Sequence, residues 1–114
     1  MSALTDLQAL LEGAGLDVDA SQRAIAYGTD GRVWVLLDSY DVDDAAGVVL
    51  DVVAAVSPGH DIAALSSRVW DVMEASDAFT PVAADWVYGG KPISGRDMPQ
   101  ADYATISVVS GRRL

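Results

Sequence analysis

The chain has 114 residues, no cysteine and a formal net charge of −10, with 51% hydrophobic residues. That length fits one domain with a real core, and that apolar content excludes a disordered chain. Without thiols, disulfides and thiolate metal sites are ruled out, which favours a reducing compartment, and a pI near 4.1 argues against a nucleic-acid-binding surface.

Charge is unevenly distributed. Residues 1–85 hold fifteen acids and three bases (Arg23, Arg32, Arg68), a balance of −12. Residues 86–114 hold two acids and four bases (Lys91, Arg96, Arg112, Arg113), a balance of +2. One reading is plain solubility. The sharper one is an acidic face on one copy meeting a basic loop or tail on the next.

In chain order, Ser2 or Thr5 caps a first helix with Leu4, Leu7, Leu10 and Leu11 at helical spacing, closed by Gly13 and Gly15. Arg23–Tyr27 is a short strand candidate, and Thr29-Asp30-Gly31 is a hairpin signal. Next comes a β-rich run, Val33–Tyr40. Val33, Val35 and Leu37 share one face, and Trp34, Leu36, Asp38 and Tyr40 the other. In Val48–Val56, Leu50, Val52, Ala54 and Val56 share a face that Asp51 does not interrupt, the pattern of a sheet covered on one side.

Ser57-Pro58-Gly59 is a turn, and Asp61 is an N-cap for a helix with a stripe of Ile62, Leu65, Val69, Val72 and Met73. Arg68, Asp71, Glu74 and Asp77 fall off that stripe and are expected in solvent. Pro81 bars any continuation of the helix. Val82–Tyr88 alternates as a strand, and Gly89–Gln100 carries five Gly or Pro residues, the composition of a long flexible loop. Tyr103–Val109 is the last strand, before a basic tail at 111–114. The predicted fold is a single α+β domain over 1–114. It has a mostly antiparallel four- to five-stranded sheet with two helices on one face, in the order α-β-β-β-α-β-β.

No motif with catalytic chemistry emerges. The lone histidine, His60, has neither metal-ligand partners nor a nucleophile motif. Asp41-x-Asp43-Asp44 lacks the central Gly and closing Glu of an EF-hand, and Tyr88-Gly89-Gly90-Lys91 lacks the Lys-Ser/Thr of a phosphate loop. A solvated turn and an ordinary loop are the simpler readings. The expectation is therefore no enzyme, no cofactor and no metal. Three Trp and four Tyr stand beside one Phe. Most will fill the core, but Trp86 and Tyr88 sit at the mouth of the glycine-rich loop, and these residue types anchor interfaces. Candidate interface residues are Trp86, Tyr88, Lys91, Arg96, Arg112 and Arg113.

Several pieces carry a family resemblance: the Leu-rich opening helix ending in Glu12-Gly-Ala-Gly-Leu16, the central strands Val33–Leu37 and Val48–Val56, and the helix Asp61–Trp70. A strand and Gly/Pro loop follow, then Pro99-Gln-Ala-Asp-Tyr103 leading into the last strand. In element order and size, over nearly the whole chain, this pattern resembles the tail terminator proteins of long-tailed bacteriophages of actinobacterial hosts. The resemblance implies a virion structural protein, with no catalytic residues, that forms a homohexameric ring. Such a ring caps the tail tube, ends its polymerisation and docks to head-to-tail connector proteins. DNA would pass through the lumen without specific binding, an acidic wall repelling phosphate. Localisation would be the tail or neck of the virion, and the host cytoplasm during assembly, with no membrane contact. Other readings are a neighbouring neck protein, or an acidic immunity or antitoxin-like protein that neutralises a basic partner.

Overall fold

A computed structural model describes residues 3–19, 31–40, 48–92 and 99–110, with the backbone alone at 37–40 and 48. The elements are α1 (Ala3–Gly13), β1 (Arg32–Tyr40), β2 (Val48–Val56), α2 (Ile62–Glu74), β3 (Phe79–Gly90) and β4 (Ala101–Ser110). The fold is α+β, with one four-stranded sheet in the order β1-β2-β4-β3 and every neighbouring pair antiparallel. The strand candidate Arg23–Tyr27, the turn signal at Thr29-Asp30 and the Asp41–Asp44 cluster lie outside the described residues.

The predicted stripe of α1 points inward: Leu7 and Leu11 are fully buried, and Leu4 and Leu10 pack at the margin. A Schellman motif ends this helix. Leu16 N–H donates to the Leu11 carbonyl (3.2 Å) and Gly15 N–H to that of Glu12 (2.9 Å). Gly15 stands at φ +87, and a Cβ there would also lie 3.2 Å from Arg68 Nη2. Asp61 caps α2 as expected, accepting from Ala64 N–H at 3.0 Å.

Both helices cover one sheet face. Leu7 and Leu11 of α1 and Val69 and Met73 of α2 share a core with Val33, Val35, Leu50, Val52, Ala54, Ile106 and Val108. The predicted α2 stripe lies against the core, and Ser66 joins it. Ser66 is buried beside Ile62, Val69 and Met73, whereas Leu65 and Val72 are only partly covered. Arg68 is exposed as expected, yet its Nη2 donates to the Ala14 carbonyl at 2.7 Å, tying α2 to the end of α1.

The reverse face departs from the one-sided pattern. Trp34 is 0% exposed there and packs with Val53, Ala55 and Ala101. Its indole N–H donates to Asp19 at 3.1 Å. Alternation places Trp34 on the face opposite Val33 and Val35. A large apolar ring with a hydrogen-bonded polar tip is a good centre for a second, smaller core.

Two boundaries also move. β3 begins at Phe79, so Pro81 lies within a strand, at a register shift where the missing N–H is tolerated. β3 also continues through Gly90, so Gly89 and Gly90 belong to the strand rather than to the loop.

Met73→Ala should cost about 2–5 kcal/mol of stability in urea unfolding. Leu65→Ala, at a half-covered position, should cost clearly less. Arg68→Ala should cost about 0.5–1.5 kcal/mol, the range for one lost hydrogen bond. An equal loss at Leu65 and Met73 would mean that the α2 face is wrongly assigned.

Candidate interaction surface

The two edges of the sheet are treated differently. Beside β1, Val33 N–H donates to the Asp17 carbonyl (2.8 Å) and Asp19 N–H to that of Val33 (2.9 Å), a parallel bridge that covers this edge at Val33. Arg32 reinforces it with an ion pair to Asp17 at 3.2 Å. At the other end, β3 is the last of the four strands and twelve residues long, and no strand pairs with its outer side among the described residues.

Apolar exposure concentrates on that bare edge. Among the described residues, the large hydrophobic side chains that stand exposed are Val82 (55%), Trp86 (50%), Val87 (40%) and Tyr88 (70%), all in β3. A long edge strand with apolar side chains is a template for further pairing unless something blunts it. Asp85 supplies one charge in its middle, and Lys91 follows exposed just beyond its end.

Asp102 holds the far end of β3 in place. One carboxylate oxygen accepts from Gly89 N–H (2.9 Å), the other from Gly59 N–H (3.3 Å). It thus joins the turn before α2 to the register shift between Val87 and Gly90. Gly89 adopts φ +71. At Gly90 a Cβ would meet Val87 Cγ1 at 2.9 Å and Tyr103 Cε1 at 3.1 Å. Both glycines are conformational and steric requirements of the irregular strand end.

On the helix side of β3 lies an open cleft of about 360 Å³, walled by Ser66, Trp70 and Asp71 of α2 and by Ala84 and Trp86 of β3, over Ile106. Trp86 Nε1–H donates to Ser66 Oγ at 3.1 Å, which fixes the half-exposed ring against the helix. Ser66 in turn donates to the Ala63 carbonyl at 3.1 Å, and Trp70 Nε1–H donates to Glu74 at 2.9 Å.

Of the six expected interface residues, Trp86, Tyr88 and Lys91 fall on or just after this edge. Arg96, Arg112 and Arg113 lie outside the described residues. Ser66 and Asp102 were not singled out from sequence. A serine within an apolar helix stripe was the available signal for the first, and the second had none. His60 is exposed in the turn before α2, and among the described residues no cluster of His, Asp or Glu could hold a metal ion. Also among the described residues, no helix is long and apolar enough to cross a membrane. No family model matches the chain, and no curated protein matches it significantly.

Asp102→Ala should cost about 1–2 kcal/mol, two partly exposed hydrogen bonds being lost together. Amide exchange at Gly89 should speed up with it. Unchanged protection at Gly89 would show that the carboxylate does not hold the strand end.

Proposed function

We propose that this chain is a structural subunit that assembles with copies of itself, and specifically a bacteriophage tail terminator whose ring caps the tail tube and docks to the head-side connector. The observation that carries the assembly reading is the bare β3 edge. Twelve residues of strand end the sheet there, with Val82, Trp86, Val87 and Tyr88 exposed. Backbone donors and acceptors along such an edge are satisfied by water in a free subunit and by a neighbouring chain in an assembly. Trp and Tyr add large contact area at low entropic cost.

The finer, viral reading rests on the resemblance in element order and size. The α+β architecture and the net charge of −10 are compatible with a DNA conduit whose wall repels phosphate. In a ring each copy offers one surface to the next and a different surface to the one before, a heterologous contact that closes by rotation. The two unlike sheet edges supply that asymmetry. Exposed ion pairs would contribute about 0–1 kcal/mol each, so apolar contact supplies most of the affinity and charge sets register.

The test is assembly in solution. Wild-type protein should sediment as a closed oligomer or become one when tail tube is added, and electron microscopy should show rings. Val82→Asp/Tyr88→Asp, a change confined to exposed side chains, should keep the fold and lower assembly at least tenfold. A wild-type protein that stays monomeric at every concentration and with tail tube present would overturn the proposal. A tight one-to-one complex with a basic protein would point instead to the immunity or antitoxin-like reading.

A further inference from the structure

The cleft between α2 and β3 has a chemistry of its own. Two indole rings, Trp70 and Trp86, line it together with the Asp71 carboxylate. Its polar donors are committed elsewhere: Trp86 Nε1–H to Ser66, Trp70 Nε1–H to Glu74, and the Ser66 hydroxyl to Ala63. Among the described residues that leaves Ser67 as the one hydroxyl on the rim. An anion entering here would meet Asp71 and the nearby Glu74 with almost no donor to bind it. A planar cation meets aromatic rings and carboxylates, the combination that recognises guanidinium. At about 360 Å³ the space is at the small end of the range for ligand clefts.

We infer that this cleft is a guanidinium-binding site, and that its occupant is the Arg112-Arg113 tail of a second copy of the chain. This deepens the self-assembly reading and rests on it. The chain holds six arginines. Arg32 is paired with Asp17, and Arg68 is bound to the Ala14 carbonyl. Arg112 and Arg113 are adjacent, belong to the +2 segment and follow β4 directly. β4 runs from Ala101 past Ile106 to Ser110, where it pairs with Phe79. The described strand β4 therefore runs away from its own cleft up to Ser110. Ser110 is already four residues, about 13 Å, beyond the Ile106 floor. Reaching its own cleft from Ser110 would need a reversal, whereas a neighbour's cleft needs none. The stated carboxylates and rings bind the two guanidinium groups.

Two measurements test this. In the first, a synthetic Ser107–Leu114 peptide is titrated into the full chain and followed by tryptophan fluorescence, Trp34 being fully buried and Trp70 and Trp86 lining the cleft. Binding should be saturable and should weaken at least fivefold when both peptide arginines become glutamine. Asp71→Lys in the protein should weaken it at least tenfold. Glu12→Lys, the same charge change on exposed α1, should leave it within twofold. Equal binding of the Arg and Gln peptides, or no effect of Asp71→Lys, would overturn the site.

The second measurement assigns the occupant. Arg112→Gln/Arg113→Gln and Asp71→Lys proteins should each self-associate at least fivefold more weakly than wild type, and an equimolar mixture should form discrete pairs, each pair using one intact cleft and one intact tail. Wild-type association of either variant, failure of the mixture to pair, or loss with Arg96→Gln in place of the tail variant would each overturn the tail assignment. Peptide binding by a strictly monomeric wild-type chain would sink the assembly reading while leaving the guanidinium site standing. Normal assembly of both variants would leave the assembly reading standing and overturn the tail as occupant.

Discussion

The structure depends on where β4 lies. The last strand in sequence pairs with β2 along nine residues and with β3 on its other side, so the sheet can be completed only after the rest of the described chain exists. Its insertion places Ala104, Ile106 and Val108 in the centre, fully buried beneath the helices. It also separates β2 from β3, so that α2 must cross over β4 to connect them. One strand placement thus seats α2, pushes β3 to the edge and opens the cleft between them. Pairing of such distant segments is entropically costly before it is rewarded, and the apolar rows of β2 and β4 are what offset it.

How much of this was legible follows from what local pattern encodes. α1 and its glycine stop, the Asp61 cap, and the alternation of β1 and β2 were readable because spacing and capping are properties of adjacent residues. The strand order was not. Nothing in Tyr103–Val109 says that it inserts between β2 and β3. The predicted α2 stripe lies against the core, with Ser66 missing from it because serine counts as polar in a pattern, whereas in the fold its hydroxyl is satisfied by Ala63 and Trp86 and is buried without penalty. Gly89 and Gly90 read as loop punctuation. They stand in β3 because Asp102 supplies the hydrogen bond, and the Val87–Tyr103 packing the lack of space, that an irregular strand end demands. Exposed Trp86 and Tyr88 were legible only as residue types at a loop mouth. That they share an edge with Val82 and Val87 follows from β3 being last in the sheet.

Acidic residues divide along the same lines. Asp17 and Asp19 are occupied within the subunit, holding the β1 edge through Arg32 and Trp34. Asp61 caps a helix, and Asp102 pins a strand end. Of these carboxylates Asp17 forms an ion pair; the hydrogen bonds to Asp19, Asp61 and Asp102 come from neutral donors and do not neutralise their charge. Asp71 on α2 and Asp85 on β3 are exposed, with no ion pair formed among the described residues.

That distribution bears on how an assembly interface would be organised. Among the described residues the β1 edge is bridged at Val33 while the β3 edge has no strand beside it, an asymmetry that suits head-to-tail contacts better than two-fold ones. Two-fold pairing of β3 with itself in a register centred on Asp85 would set like charges opposite each other, which is destabilising. A contact between β3 and a different, basic surface removes that repulsion and satisfies both the backbone edge and the acidic cleft beside it. On the proposed assembly reading, the residues that would make self-pairing unfavourable would make a heterologous neighbour favourable, the arrangement a ring requires.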